Sequence, residues 1–119
     1  MNKLDLHIKK IHSAPETISF QETIDIIDDF YHYSPTQFTN GYDNELITNK
    51  AGSNEGSCKI FAFAKLHELD DLQTLNCFGD YYRIDVLQNP ENEDHANIRT
   101  FMTYGLKHIL FSCPALTKK

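Results

Sequence analysis

Residues 58–66 read Cys-Lys-Ile-Phe-Ala-Phe-Ala-Lys-Leu, and the fold turns on whether this stretch is strand or helix. Phe61 and Phe63 alternate with Ala62 and Ala64, as in a strand with one buried face. Ile60, Phe63, Ala64 and His67 instead share the spacing of a helix face. Ala, Lys and Leu favour the helix, and Gly56-Ser57 offers it an N-terminus. We therefore read a helix that is apolar nearly all round, which puts it at the centre of the core.

Upstream of it, residues 49–57 are a loop rich in turn formers. Leu46-Ile47-Thr48 reads as a strand whose partner is Thr36-Gln37-Phe38-Thr39, with Asn40-Gly41 as a turn signal between them. Ser34-Pro35 ends a helix over 20–32. That helix opens on the capping box Ser19-Phe20-Gln21-Glu22 and aligns Phe20, Ile24, Ile27 and Tyr31. Its acids Asp25, Asp28 and Asp29 form a solvated face. Leu4, Ile8 and Ile11 predict an amphipathic helix over 2–12, ended by Pro15. Downstream, Asp70-Asp71-Leu72-Gln73 is a second capping pattern. Leu72, Leu75, Phe78, Tyr82 and Val86 continue as one helix, interrupted by Gly79 and stopped before Asn89-Pro90. Asp94 is the expected cap of a last helix, with Ile98, Phe101 and Met102 inward and Gly105 as its stop. Residues 108–112 then read as a strand closed by Pro114. The sum is an α+β fold, four to five helices around a small antiparallel sheet.

The chain has 119 residues, which makes residues 1–119 one domain. Eight Phe and six Tyr without a Trp point to a core of aromatic rings, with Phe78, Tyr81, Tyr82, Phe101 and Phe111 among them. A net charge of -6 argues against nucleic-acid binding and against docking on anionic membranes. Mean hydropathy is -0.47, and no apolar run is long enough to span a bilayer. Charges interrupt the first ten residues too early for a secretory leader, and Cys58, Cys77 and Cys113 are an odd set without C-x-x-C spacing. The expected compartment is a reducing one, the cytoplasm.

Three motifs carry a family likeness: Asn-Glu-Gly-Ser-Cys-Lys at 54–59, Phe-Gly-Asp-Tyr-Tyr-Arg at 78–83 and Asp-His-Ala-Asn-Ile-Arg at 94–99. With Thr36, Phe38, Asn40-Gly41, Asn49, Gly52 and Pro90, the chain resembles the HopJ type III effector family over about residues 16–112. The resemblance implies a compact single-domain α+β protein of bacterial origin. Its name implies delivery through a type III secretion system of plant-associated bacteria, with a host protein as one class of partner. It supplies no mechanism and no cofactor. The chain departs from the family pattern at Leu106, where a Trp is expected after Gly105, and in a longer connection from Asn40 to Asn49.

The same motifs hold the polar side chains most suited to chemistry. Backbone amides at the start of the central helix, the Ser57 hydroxyl and the Lys59 ammonium would suit an anion. Arg83 and Arg99 add bidentate donors if the fold brings them near. Asn54, Ser57, Lys59, Arg83, His95 and Arg99 are thus the candidate site for a small anionic ligand or a protein surface. The bland alternative makes Asn54 and Ser57 caps, gives Gly52 and Gly56 unusual φ values, and pairs both arginines with acids. A second candidate is a cysteine-dependent hydrolase or transferase, with Cys58 as nucleophile, His95 as base and Asn97 or Asp94 orienting it. Against it stands the habit of a lone cysteine to be buried. His67-Glu68-Leu69-Asp70-Asp71 lacks the second histidine of a zinc-binding helix, so no metal is expected.

Overall fold

The computed structural model describes all of residues 1–119. Its first helix, α1 (Lys3–Ser13), starts where Asn2 Oδ1 accepts the N–H of Asp5, and it buries Leu4, His7 and Ile11. After a 3-10 turn at Pro15–Thr17, α2 (Phe20–Phe30) opens on the expected capping box. Ser19 Oγ accepts the N–H of Glu22 at 3.1 Å, and Glu22 Oε1 accepts the N–H of Ser19 at 3.0 Å. The inward face of α2 is Thr23, Ile26 and Ile27, while Phe20 and Ile24 are half-buried at its margin.

The helix ends sooner than its apolar spacing predicts. Tyr31–Tyr33 leaves it as strand β1 and pairs antiparallel with β5 (Leu116–Lys118) near the C-terminus. A second antiparallel sheet has the order β3-β2-β4, from β2 (Phe38–Asn40), β3 (Ile47–Asn49) and β4 (Ile109–Phe111). The pairing of β2 with β3 is the hairpin expected from the turn signal at Asn40-Gly41.

Residues 58–66 are helical. Helix α3 (Glu55–Leu66) begins three residues before that stretch and runs through the middle of the molecule. Cys58 and Ile60 to Ala64 are buried on every side of it. Phe61 meets Phe38, Phe78 and Phe101 with ring centroids 6.0, 5.4 and 5.0 Å apart, so the core is aromatic as its composition suggests.

The expected long helix over 72–86 is divided. Helix α4 (Asp71–Asn76) keeps its capping box between Asp70 and Gln73 but stops at Asn76. Gly79 then takes φ +60, and a Cβ there would lie 2.7 Å from the backbone nitrogen of Phe20. The break lets this backbone lie directly against the start of α2, which no side chain at position 79 would permit. Residues Tyr81–Val86 resume as a π-helical turn. The final helix, α5 (Ala96–Tyr104), starts after His95, and no side chain caps it, neither that of His95 nor that of the expected Asp94. Leu72, Tyr81 and Met102, all expected inward, are 58%, 44% and 45% exposed. Leu106, in the place of the expected Trp, sits half-buried in a 3-10 turn before β4. Between β4 and β5, Cys113 lies exposed beside a groove lined by Leu66, Phe111 and Leu116. The architecture is α+β: five α-helices, a π-helical turn and five short strands in two antiparallel sheets.

Candidate functional site

Helices α3 and α5 begin in the same way. The residue before each first turn, Asn54 and His95, adopts the left-handed conformation at φ 51 and 52, and neither side chain bonds to its own helix. Asn54 is a residue type that usually caps. Its Nδ2 instead donates to Asn49 Oδ1 at 2.7 Å. His95 directs Nε2 to Asp85 Oδ2 at 3.0 Å, with Asp94 Oδ2 at 3.8 Å. The N–H groups of Gly56, Ser57, Asn97 and Ile98 consequently have no acceptor within the protein.

Both first turns line one hollow of about 490 Å³. Gly56 and Ser57 come from α3, and Ala96, Asn97 and Ile98 from α5. The rings of Phe20, Phe78 and Tyr81 make the apolar wall. Tyr81 stands edge-on to Phe20 at 5.1 Å and lies 5.2 Å from the His95 ring. A Cβ at Gly56 would meet the Phe20 ring at 2.9 Å, so the missing side chain lets the wall close on the helix. The π-helical turn carries Tyr81 at its start and Asp85 one turn later. It therefore supplies both the ring and the carboxylate that holds the imidazole.

Behind the hollow lies a cluster of three buried amides, Asn40, Asn49 and Asn97, which are 0%, 2% and 7% exposed. Asn97 and Asn49 exchange bonds, Nδ2 to Oδ1 in each direction, at 2.9 and 3.1 Å. Asn40 Nδ2 donates to the Asn97 carbonyl at 2.8 Å and to its Oδ1 at 3.0 Å. These bonds tie the β2–β3 hairpin to the first turn of α5. The sequence reading missed this cluster: Asn40 serves there as a turn former and Asn49 as a loop residue. Its only visible trace is that each of the two ends a short β-prone run.

The sequence-predicted residues divide into two sets. Asn54, Ser57 and His95 meet at the hollow; Lys59, Arg83 and Arg99 do not line it. Lys59 Nζ pairs with Asp28 Oδ1 at 3.0 Å and stands 4.9 Å from the Tyr33 ring. Arg83 reaches away, donating to the carbonyl of Ile18 and to the O and Oδ1 atoms of Asn76 at 3.2 and 2.9 Å. It thereby links the segment before α2 to the end of α4. Arg99 folds back on its own approach loop, with Asp94 O and Oδ1 both at 2.6 Å and the Asn89 carbonyl at 3.1 Å. The expected convergence of both arginines on an anion is thus corrected. Arg83 gives its donors to main-chain carbonyls and the Asn76 side chain. Arg99 gives its own to carbonyls of its loop and the Asp94 carboxylate, the pairing with an acid that the bland alternative allowed. Gly52 takes φ +86, whereas Gly56 is ordinary helix.

The residues of the cysteine alternative are each occupied elsewhere. Cys58 is 1% exposed and does not line the hollow. Burial pushes its thiol up, against smaller opposing effects from Tyr33, the Thr36 backbone and Lys59. That setting holds the sulfur as a thiol, the less nucleophilic form. His95 is committed to Asp85, and Asn97 to the amide cluster. Cys77 is buried as well, with its thiol pushed up to about 12 by desolvation.

No helix is long and apolar enough to cross a membrane. Among solved structures, the chain is similar to a protein of unknown function designated VPA0580. The two are 48% identical with a TM-score of 0.93, over 100% of this chain and 95% of that one. No curated protein matches it. A family model described as HopJ type III effector protein matches residues 4–116, and the chain belongs to that family.

Proposed function

We propose that the hollow between the starts of α3 and α5 binds a small monoanion with a flat apolar body, a carboxylate and not a phosphate. The observation that carries this reading is the meeting of two helix N-termini, neither capped by its own side chain, in one ring-walled hollow. Each N-terminus is equivalent to roughly half a positive charge, so two together match about one negative charge. No Lys or Arg lines the hollow to balance a second one, and Asp85 and Asp94 flank the imidazole. A phosphate dianion would therefore be repelled where a carboxylate is held. The Ser57 hydroxyl and the free amides donate to the carboxylate, and Phe20, Phe78 and Tyr81 cover its body.

The test is an amide NMR titration with benzoate and 2-naphthoate, with phenyl phosphate and methyl benzoate as contrasts. The N–H signals of Gly56, Ser57, Asn97 and Ile98 should move with the two carboxylates, further for the larger ring at equal concentration. Ser57→Ala should weaken the carboxylates about fivefold, the worth of one hydrogen bond of about 1 kcal/mol. Equal response to the ester, or none at those four amides at millimolar carboxylate, would refute the reading.

A further inference from the structure

Helix α1 is anchored by Leu4 and Ile11, and three polar contacts join it to its neighbours. The first two join ionisable side chains to α2. His7 Nε2 meets Thr23 Oγ1 on α2 at 2.9 Å. Lys10 Nζ donates to Glu22 Oε2 on α2 at 2.8 Å. Gln73 Nε2 on α4 meets His12 Nδ1 at 2.9 Å.

The direction of the third contact is fixed by its surroundings. Gln73 Oε1 already accepts the N–H of Asp70 at 2.9 Å, so the amide nitrogen is the atom facing His12. It can only donate, and His12 Nδ1 must offer a lone pair.

His7 is 6% exposed in the seam between α1 and α2. From its own helix it shares a groove with Lys3 and Lys10, and from α2 with Glu22, Asp25 and Asp29. Helix α3 presents the uncharged ring of Phe63, 6.5 Å away. On the side of α4, the Thr23 hydroxyl also faces the Cys77 thiol. Burial dominates this setting and disfavours the imidazolium, although Glu22 acts in the opposite sense. The docked helix thus binds protons less readily than the released one.

We propose that these contacts form an acid-sensitive latch, by which mild acid frees α1 while α3 and the core around it stay folded. By linkage, lowering the pH favours the form that takes up more protons, which is the released one. The loss begins as the pH falls below 6.5, the ordinary value for His7. It deepens below 4.5, because Glu22, held low chiefly by Lys10 while α1 is docked, takes its proton more readily once that pair is broken. A terminal helix lies at the low end of local stability, whereas α3 is held by packing on all sides.

Amide hydrogen exchange, corrected for its intrinsic pH dependence, tests the latch between about pH 7.5 and about pH 5.5. The amides of Ile8 to Ser13 should lose about tenfold or more in protection relative to those of Ile60 to Ala64. In the variant His7→Gln, the side-chain amide can still donate to Thr23 but does not titrate, so the selective loss should vanish. Unchanged protection of α1 in the native chain, simultaneous loss in both helices, or the same response in the variant would overturn the proposal. The native profile decides by itself if the variant does not fold.

Discussion

The two ends of α3 are built on opposite plans. At its N-terminal end, Asn54 turns its side chain away to Asn49, and the first turn faces an open hollow. At its C-terminal end, the N–H of His67 bonds to the carbonyls of Lys65 and Phe63, and its Nε2 meets the Tyr31 hydroxyl at 2.5 Å. One end is sealed against β1, while the other keeps its donors free. A helix buried along its length draws most of its stability from packing, so it can leave one terminus unsatisfied at modest cost. What supports the open end is the amide cluster behind it, and the comparison can be broken from either side.

The largest effect is expected at the open end. Asn97→Ala removes three buried side-chain bonds, while the bond from Asn40 to the main-chain carbonyl of that position survives, and should cost about 3 kcal/mol in urea unfolding, at about 1 kcal/mol per bond. A cost below about 1 kcal/mol would mean that water replaces the lost amide and that the cluster is not a closed support. Next comes Arg83→Ala, which removes charged donors from two chain segments and should cost about 2 kcal/mol. Because Arg83 lies outside the hollow, the carboxylate shifts at Gly56 and Asn97 should persist in this variant. Their disappearance would return the guanidinium to the binding site.

The smallest effect is expected at the sealed end. Tyr31→Phe deletes one hydrogen bond and should cost about 1 kcal/mol at pH 8. The same end contributes to the pH dependence of the whole fold. Burial, with Lys118 adding to it, lowers the pKa of His67, and burial likewise lowers that of His7. A depressed folded value means that the unfolded chain binds the proton first. Stability is therefore full above pH 6.5 and declines as the pH falls below it. The urea midpoint should be level from pH 8 to 7 and drop from there toward pH 5. A midpoint that rises on acidification would contradict the burial of both imidazoles.

What the sequence made legible is what neighbouring residues decide among themselves. The boxes Ser19–Glu22 and Asp70–Gln73 close over three residues, and α1, α3 and the β2–β3 hairpin follow from spacing and turn chemistry. Strands β1 and β5 escaped because each is three residues long and its partner lies at the far end of the chain. Tyr31 continues the apolar spacing of α2 yet leaves it, since pairing with Lys118 outweighs helix propensity there. The arginines misled for a related reason. Arg83 bonds to the carbonyls of Ile18 and Asn76, which carry no residue-type signal, whereas Arg99 takes the Asp94 carboxylate beside the Asn89 carbonyl, a pairing with an acid that the sequence allowed. Of the candidate site, Asn54, Ser57 and His95 were placed by the motifs that begin two helices. The aromatic wall was foreseen only as core, because a ring at 44% exposure looks like any other ring in a sequence.

One feature of the β4–β5 turn has a practical use. Cys58 and Cys77 are sealed inside, whereas Cys113 is open to solvent. A maleimide dye added to the native chain will therefore attach at a single position, and no cysteine need be engineered or removed first. The label would sit across α3 from its open end, where it reports on tumbling and self-association without obstructing the hollow.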